Sequence, residues 1–170
     1  AEVFLACDAE DATRVVVLKV PIAGTEGHNA TRLALEHEAR VTLALDHPNL
    51  VRTLGTESHQ SEVALVLEYV DGVTLDAAIH AATTPLSARV ALRVVVTLLR
   101  ALNSAHQARD QAGSALGLVH RDINPHNVLV SRDGVVKLGD FGIARSRLGD
   151  ARTRTGAIKG TLRYLTPEQA

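Results

Sequence analysis

The stretch Val119-His120-Arg121-Asp122-Ile123-Asn124-Pro125-His126-Asn127 decides how the rest of the chain is interpreted. It places Asp122 five positions before Asn127, and the triplet Asp140-Phe141-Gly142 begins eighteen residues after Asp122. Between these motifs, the apolar segments 128–130 and 135–138 flank Ser131-Arg132-Asp133-Gly134, and an Asp-Gly pair is a strong signal for a tight turn. The pattern predicts a hairpin that carries Asn127 and Asp140 to the same end of a sheet.

These motifs supply the groups that phosphoryl transfer needs, which are positioning, charge neutralisation and an acceptor for a hydroxyl proton. Asp122 is the candidate base that orients the attacking hydroxyl. Asn127 and Asp140 offer oxygen atoms for Mg²⁺, a hard cation that prefers oxygen ligands. Either motif alone would be read as a surface peptide or an ordinary turn, but their joint occurrence in this order favours the catalytic interpretation.

Lys19 and Glu38 are the candidates for a second part of the site. Lys19 ends an apolar run in a predicted strand, where an ammonium group needs a partner. Glu38 shares one face of a predicted helix with Val41 and Leu45, whereas Glu36, the rival partner, points elsewhere. The pair would hold Lys19 against the α- and β-phosphates of a nucleotide. The alternative is a solvated lysine and a solvated glutamate.

The composition is that of a globular domain. The 170 residues are 46% hydrophobic and 22% charged, with a net charge of −1, so bulk charge indicates neither a nucleic-acid partner nor a membrane-surface partner. Cys7 is the only cysteine, which excludes a disulfide framework and fits the reducing cytoplasm. No apolar run approaches the roughly 20 residues of a membrane span, so we expect no membrane segment in this chain.

The order of the predicted elements indicates an α+β fold with two parts. The first part is mainly strands with one helix, and the second is mainly helical after Asp71-Gly72. Predicted strands cover 1–6, 14–20, 50–54 and 63–70, with a helix over 31–45 and turns over 21–27 and 55–61. Predicted helices then cover 75–81 and a segment from Ser87, the expected N-cap, to about residue 105. The polar segments 107–117 and 146–159 are predicted loops.

The chain resembles the eukaryotic-like Ser/Thr protein kinases of bacteria over its whole length. The matching pieces follow in family order: Val-Val-Leu-Lys at 16–19, Glu-Ala-Arg at 38–40, His-Pro-Asn-Leu-Val at 47–51, Glu-Tyr-Val-Asp-Gly at 68–72, the stretch 119–127, Asp-Phe-Gly-Ile-Ala-Arg at 140–145 and Gly-Thr-Leu-Arg-Tyr-Leu-Thr-Pro-Glu-Gln at 160–169. The resemblance implies a two-lobed kinase fold with a partial N-lobe over 1–67, a hinge over 68–72 and a partial C-lobe over 73–170.

The resemblance also implies where ATP, with Mg²⁺ or Mn²⁺, would bind. The backbone of the hinge would contact adenine, the residue before the hinge would be the gatekeeper, and three apolar side chains would enclose the ring. The hinge residues are Glu68, Tyr69 and Val70, and the gatekeeper is Leu67. The side chains that would enclose adenine are Val3, Val17 and Leu129. His120 and Phe141 are expected to stack in the spine of the active state.

Regulation by phosphorylation is a further implication of the resemblance. Arg121 would pair with a phosphate on the activation loop. Thr153 and Thr155 lie where related kinases autophosphorylate, with ordinary loop threonines as the alternative. Thr161 belongs to the substrate-binding loop, where its hydroxyl would contact Asp122. Protein Ser/Thr substrates and self-association for autophosphorylation are the implied partners.

Three departures from the family pattern stand out. The family's glycine-rich loop would precede Ala1 and its later C-lobe helices would follow Ala170, so we expect the chain to be a fragment of a catalytic domain. A longer protein could carry a membrane segment elsewhere. The third departure is Asn124, which stands where these kinases usually have a lysine that contacts the transferred phosphate. An asparagine brings a hydrogen-bond donor but no positive charge.

Two other functions compete with a protein Ser/Thr kinase. The first is a pseudokinase or nucleotide-binding regulatory module, which Asn124 favours and the complete set of Lys19, Glu38, Asp122, Asn127 and Asp140 disfavours. The second is a small-molecule kinase of related fold. Such enzymes tend to lack the Arg of His-Arg-Asp, the Asp-Phe-Gly turn and the Gly-Thr…Thr-Pro-Glu segment, all of which this chain has.

Overall fold

The structure is a computed structural model, and it describes residues 1–21, 28–59, 62–110, 112–141 and 164. The predicted loop over 146–159 and most of the predicted loop over 21–27 lie outside these ranges. Within the described ranges, no helix has the length and apolar character needed to cross a membrane.

The N-terminal part is an antiparallel sheet with one helix against it. The strand order is β1-β2-β4-β3, and the elements are β1 (Glu2–Cys7), β2 (Val15–Val20), α1 (His28–Thr42), β3 (Thr53–His59) and β4 (Glu62–Glu68). Helix α1 packs on β3 and β4, and buries Leu35 and Ala39. Because Glu38 lies one position from Ala39 on the same turn, the packing of this face also buries its carboxylate.

The predicted strand over 50–54 is wrong in its bounds, and so is the turn predicted over 55–61. Strand β3 begins at Thr53 and continues to His59, with an irregular register between Thr53 and Gly55. Leu50 instead forms an isolated bridge with Leu138 and is only 2% exposed. The polar residues of β3 resemble a turn in sequence, but they pair with β4 along its length because a solvated sheet edge accepts polar side chains.

Helix α1 begins three residues earlier than predicted and ends three residues earlier, at Thr42. The following backbone tightens, since the amides of Ala44 and Leu45 donate to carbonyls only three residues back. The tighter turn delivers Leu45 into the core, where it is 7% exposed. The apolar pattern predicted the burial of Leu45 but could not distinguish a helical turn from this tighter one.

The C-terminal part combines two helices with a three-stranded sheet of order β5-β6-β7. Its elements are β5 (Gly72–Thr74), α2 (Leu75–Ala81), α3 (Ala88–His106), a short 3₁₀ helix (Pro125–Asn127), β6 (Val128–Ser131) and β7 (Val136–Leu138). Helix α2 matches its predicted bounds, and Ser87 caps α3 as predicted by accepting from the Val90 amide. Strand β5 was not predicted. Its Gly72 lies so close to the Val130 carbonyl that a side chain would clash there.

The predicted hairpin between the two motifs is confirmed. Strands β6 and β7 pair antiparallel, and Gly134 turns the chain with a φ of +78°. Beyond the last strand pair, the Gly139 amide donates to the Asn127 carbonyl at 2.9 Å. The hairpin therefore brings Asn127 and the residue before Asp140 into direct contact.

A cluster of buried apolar side chains packs against this hairpin. It joins the end of the α1 region, helix α3, both hairpin strands and the residue after Asp140, and its members are Leu45, Leu50, Ala101, Ala105, Leu118, Val128, Leu138 and Phe141. Because the cluster includes the residues next to both Asn127 and Asp140, burial of these apolar side chains fixes the backbone on which the functional groups stand.

Candidate active site

Lys19, in strand β2, contacts one carboxylate in each part of the fold. Its Nζ donates to Glu38 Oε1 and to Asp140 Oδ1, each at 2.8 Å. The predicted Lys19–Glu38 pair is therefore confirmed as a contact, and the ammonium also spans to a residue 121 positions away. Glu36, the rival, instead pairs with Arg32 one helical turn before it, at 3.0 Å.

Burial and the neighbouring charges both shift the pKa values of Lys19 and Glu38. Burial acts to lower the pKa of Lys19, but the carboxylates of Asp140 and Glu38 outweigh it, so the pKa of the ammonium is raised. Glu38 is 3% exposed, and burial raises the pKa of its carboxyl against the attraction of Lys19. Among the described residues, Glu38 Oε2 is buried without a hydrogen-bond partner. Lys19 is thus held cationic by two anions, while Glu38 depends on that single cation.

Asp122 is held by two asparagine side chains. Asn127 Nδ2 donates to Asp122 Oδ2 at 3.0 Å and to the Asp122 carbonyl at 2.7 Å. Asn124 Nδ2 donates to Asp122 Oδ1 at 3.1 Å and to the same carbonyl at 3.2 Å. The Asn127 contact joins two predicted site residues, whereas the Asn124 contact was not predicted from the sequence.

His120 connects the stretch 119–127 to the Asp140 turn. The ring is 1% exposed, and its Nε2 lies 2.8 Å from the Gly139 carbonyl, so this nitrogen carries the proton. Nδ1 is then free to accept from the Asp122 amide at 3.4 Å. The ring also packs against Phe141 with 4.7 Å between ring centroids, which confirms the predicted contact. Burial lowers the pKa of His120, which keeps the ring neutral in this bridging role.

Backbone strain concentrates in the same two motifs. Among the described residues, the non-glycine residues with positive φ are Arg121 at +63° and Asp140 at +52°. Such conformations cost about 1–3 kcal/mol each and persist where the surroundings enforce them, as at active sites. Arg121 is exposed, and its pairing with a phosphate stays a prediction.

Asn127 and Asp140 fit the predicted divalent cation in chemistry. The Asn127 amide nitrogen is committed to Asp122, which leaves its oxygen as the atom suited to a hard cation. The Asp140 side chain is 54% exposed. Among the described residues no group of three or more His, Cys, Asp or Glu side chains is placed to hold a metal.

The predicted nucleotide-binding residues lie on strands of both parts of the fold, with the exception of Tyr69 and Val70, which follow β4. Val3 is opposite Lys19 on neighbouring strands, and Val17 is opposite Leu67. Val3 is 65% exposed, and Leu129 lies in β6, opposite Lys137 of β7. The adenine-enclosing role of these residues stays a prediction.

Glu68 ends β4 and contacts the second part of the chain, which the sequence did not predict. Its Oε1 accepts from Lys137 Nζ at 2.6 Å and from the Arg52 amide at 2.8 Å. Its own amide donates to the Arg52 carbonyl at 3.0 Å. Tyr69, which follows, is 42% exposed. The Glu68 side chain therefore fastens the predicted hinge to the hairpin that carries Asn127. The hinge bounds at 68–72 stay a prediction.

Thr153, Thr155 and Thr161 lie outside the described residues, so their predicted roles rest on the sequence. A strand lysine paired with both a helix glutamate and Asp140, together with the loop aspartate Asp122, is typical of enzymes that transfer phosphoryl groups from nucleotides.

Comparison of the sequence with known proteins identifies the family within this class of enzymes. The protein kinase domain family matches residues 1–170. The serine/threonine-protein kinase PknB of Mycolicibacterium smegmatis is 36% identical over 176 residues, covering all of this chain and 27% of the relative. A probable serine/threonine-protein kinase of Streptomyces coelicolor is 38% identical over 179 residues, covering all of this chain and 25% of the relative. The chain thus spans about a quarter of the length of these relatives.

Solved structures of kinases resemble this chain in fold. A crystal structure of the Mycobacterium tuberculosis PknI kinase domain aligns with a TM-score of 0.65 and 27% identity, covering 84% of this chain and 54% of that one. The PpkA-294 apo form shares the fold, with a TM-score of 0.71 at 21% identity, over 91% of this chain and 58% of that one. The chain belongs to the protein kinase domain family, and the predicted two-lobed α+β kinase fold is confirmed.

Proposed function

We propose that this chain is the catalytic part of a protein kinase that transfers the γ-phosphoryl group of ATP to Ser or Thr hydroxyls of proteins. The observation that carries the proposal is the double contact of Lys19, at 2.8 Å to both Glu38 and Asp140. It joins strand β2, helix α1 and Asp140 in one arrangement. The Ser/Thr specificity is supported by the names of the PknB relatives.

Four of the site residues would bind ATP and the metal ion, and Asp122 would accept the proton. Lys19, oriented by Glu38, would neutralise charge on the α- and β-phosphates of ATP. Mg²⁺ or Mn²⁺, held by Asn127 and Asp140, would supply further positive charge beside the phosphates. Asp122 would orient the substrate hydroxyl and accept its proton, because its carboxylate is held in place by two amides.

The partners follow from this reaction. Protein segments with an exposed Ser or Thr are the substrates, and Thr153 and Thr155 would receive phosphate when two copies associate. Thr161 would belong to the substrate-binding loop, with its hydroxyl against Asp122. Arg121 would then bind the new phosphate. The need for ATP and the lone cysteine favour a cytoplasmic site of action.

The test is phosphoryl transfer by the full-length protein. Incubation with Mg-ATP and a generic basic protein substrate should yield phosphoserine or phosphothreonine, and Asp122→Asn should remove the product. Asp133→Asn, in the exposed hairpin turn, is the matched control and should leave the rate unchanged. Equal labelling by the wild type and Asp122→Asn would contradict the proposal. Product on a small molecule alone would instead support the small-molecule kinase.

A further inference from the structure

We infer that Asn124 is a positioning residue for Asp122 and does not contact the transferred phosphate. This inference rests on the proposed kinase function. The position is the one where the sequence departs from the family pattern, and the missing charge there was the argument for an inactive protein. The structure shows that the asparagine side chain is already occupied by contacts within the loop.

Asn124 completes a clamp that holds each Asp122 carboxylate oxygen separately. Asn124 Nδ2 lies 3.1 Å from Oδ1, and Asn127 Nδ2 lies 3.0 Å from Oδ2. Both amides also donate to the Asp122 carbonyl. Two donors, one on each oxygen, restrict rotation of the carboxylate about its own bond more than a single donor does.

The orientation of the Asn124 amide follows from its other end. Oδ1 accepts from the His126 amide at 2.9 Å, which caps the 3₁₀ helix Pro125–Asn127. Because an amide carries its oxygen and its nitrogen on opposite sides, this cap directs Nδ2 at Asp122. A flipped amide would place an oxygen against the Asp122 oxygens and an NH₂ against an N–H donor, losing these bonds.

Burial keeps the side chain in this role. Asn124 is 6% exposed, and its backbone is extended with a φ of −153° and a ψ of 163°. To reach a phosphate, the amide would have to abandon the cap and both contacts with Asp122, and the His126 amide would lose its acceptor. A lysine at this position cannot accept from that amide, so it cannot replace the asparagine without loosening the loop.

The test uses three variants of the full-length protein in steady-state kinetics. Asn124→Asp keeps the acceptor for the His126 amide but replaces the donor with a carboxylate that repels Asp122. Asn124→Ser keeps a short acceptor and adds no charge. We expect kcat to fall about 10- to 100-fold in Asn124→Asp and about 10-fold in Asn124→Ser, as for loss of a hydrogen bond to a charged group. The KM for ATP should stay within about twofold.

Asn124→Lys, the third variant, separates the two roles. A phosphate-contacting residue would be improved by the charge, whereas a positioning residue would not, so we expect kcat below that of the wild type. Asn103→Asp, an exposed asparagine on α3, is the matched control for the change of amide to acid and should leave kcat unchanged. Thermal unfolding of each variant distinguishes a loss of folding from a loss of turnover. If either Asn124→Ser or Asn124→Asp folds poorly, the other variant still tests the inference.

The outcomes are distinct. Wild-type kcat in Asn124→Ser and Asn124→Asp, or a kcat above the wild type in Asn124→Lys, would overturn the inference while the kinase function stands. Absence of Asp122-dependent transfer by the wild type would overturn the proposed function itself. A fall in kcat with an unchanged KM for ATP, in variants that unfold at the wild-type temperature, would support the positioning role.

Discussion

The contact between Lys19 and Glu38 yields the sharpest prediction for the N-terminal part of the site. Glu38→Gln preserves the shape of the side chain and removes its charge. The Lys19 Nζ–Glu38 Oε1 distance is 2.8 Å, and the glutamate side chain is 3% exposed, so solvent does not screen the pair strongly. A hydrogen bond between two charged groups is about twice as strong as a neutral one.

The magnitude follows from that difference. A hydrogen bond to a charged group contributes about 1.5–3 kcal/mol, so exchanging the carboxylate for an amide oxygen should remove about 1–1.5 kcal/mol of the positioning of Lys19. Asp140 remains as a second anion at 2.8 Å and limits the loss. Since about 1.4 kcal/mol corresponds to a factor of ten, kcat/KM should fall about tenfold.

Folding should respond less than activity. Burial raises the pKa of Glu38, which means that the buried charge is itself costly, and a neutral glutamine avoids that cost. Because Asp140 still pairs with Lys19 at 2.8 Å, we expect the free energy of unfolding, measured by urea titration, to fall by less than the roughly 3–5 kcal/mol that breaking a buried ion pair costs. The full-length protein should therefore stay folded at the temperature of the kinetic assay.

Glu36→Gln is the matched control, because Glu36 lies on the same helix and pairs with Arg32 at the partly exposed surface. Such surface pairs contribute about 0.3–0.5 kcal/mol, so kcat/KM should stay within about twofold. The reasoning would be refuted if Glu36→Gln lost as much activity as Glu38→Gln, or if Glu38→Gln retained full activity with ATP below its KM.

Two further predictions concern the support of the site. Because burial lowers the pKa of His120 below its usual 6.5, the unfolded chain takes up a proton more readily below that pH, and stability should fall as the pH drops, by at most about 1.4 kcal/mol per unit. His120→Gln should flatten this dependence in urea titrations between about pH 5 and 8, and a slope equal to that of the wild type would contradict the assignment. Leu138→Ala should lower the free energy of unfolding by about 2–5 kcal/mol because Leu138, in β7, is fully buried, and Val135→Ala should cost far less because Val135 is 40% exposed. Similar losses in these two variants would show that the cluster is not the core of the hairpin.

Several elements were predictable because their signals are local. Asp133-Gly134 specifies the hairpin turn, since glycine adopts the positive φ of +78° without strain. Ser87 caps α3 with its own hydroxyl, and α2 matches its predicted bounds. Glu38 could be preferred over Glu36 from helical periodicity, because the face that carries Val41 and Leu45 had to point inward.

Other features had no local signal. Strand β3 is polar, and it exists because β4 lies beside it. Strand β5 is three residues long and depends on the close approach of Gly72 to Val130. Lys137 carries no mark in the sequence that identifies Glu68, 69 positions away, as its partner. These contacts arise from packing between distant segments, which a local pattern does not encode.

The motifs sufficed to predict the family, and Asp133-Gly134 sufficed to predict the hairpin, because turn chemistry acts over a few residues. The same motifs singled out Lys19, Glu38, Asp122, Asn127 and Asp140 as candidate site residues. The contacts of Lys19 with both Asp140 and Glu38, and of the Asn124 amide with Asp122, became visible only in the folded chain, because they depend on how separate segments pack. A residue type states which hydrogen bonds a side chain can make, whereas burial and the neighbouring backbone decide which of them it does make.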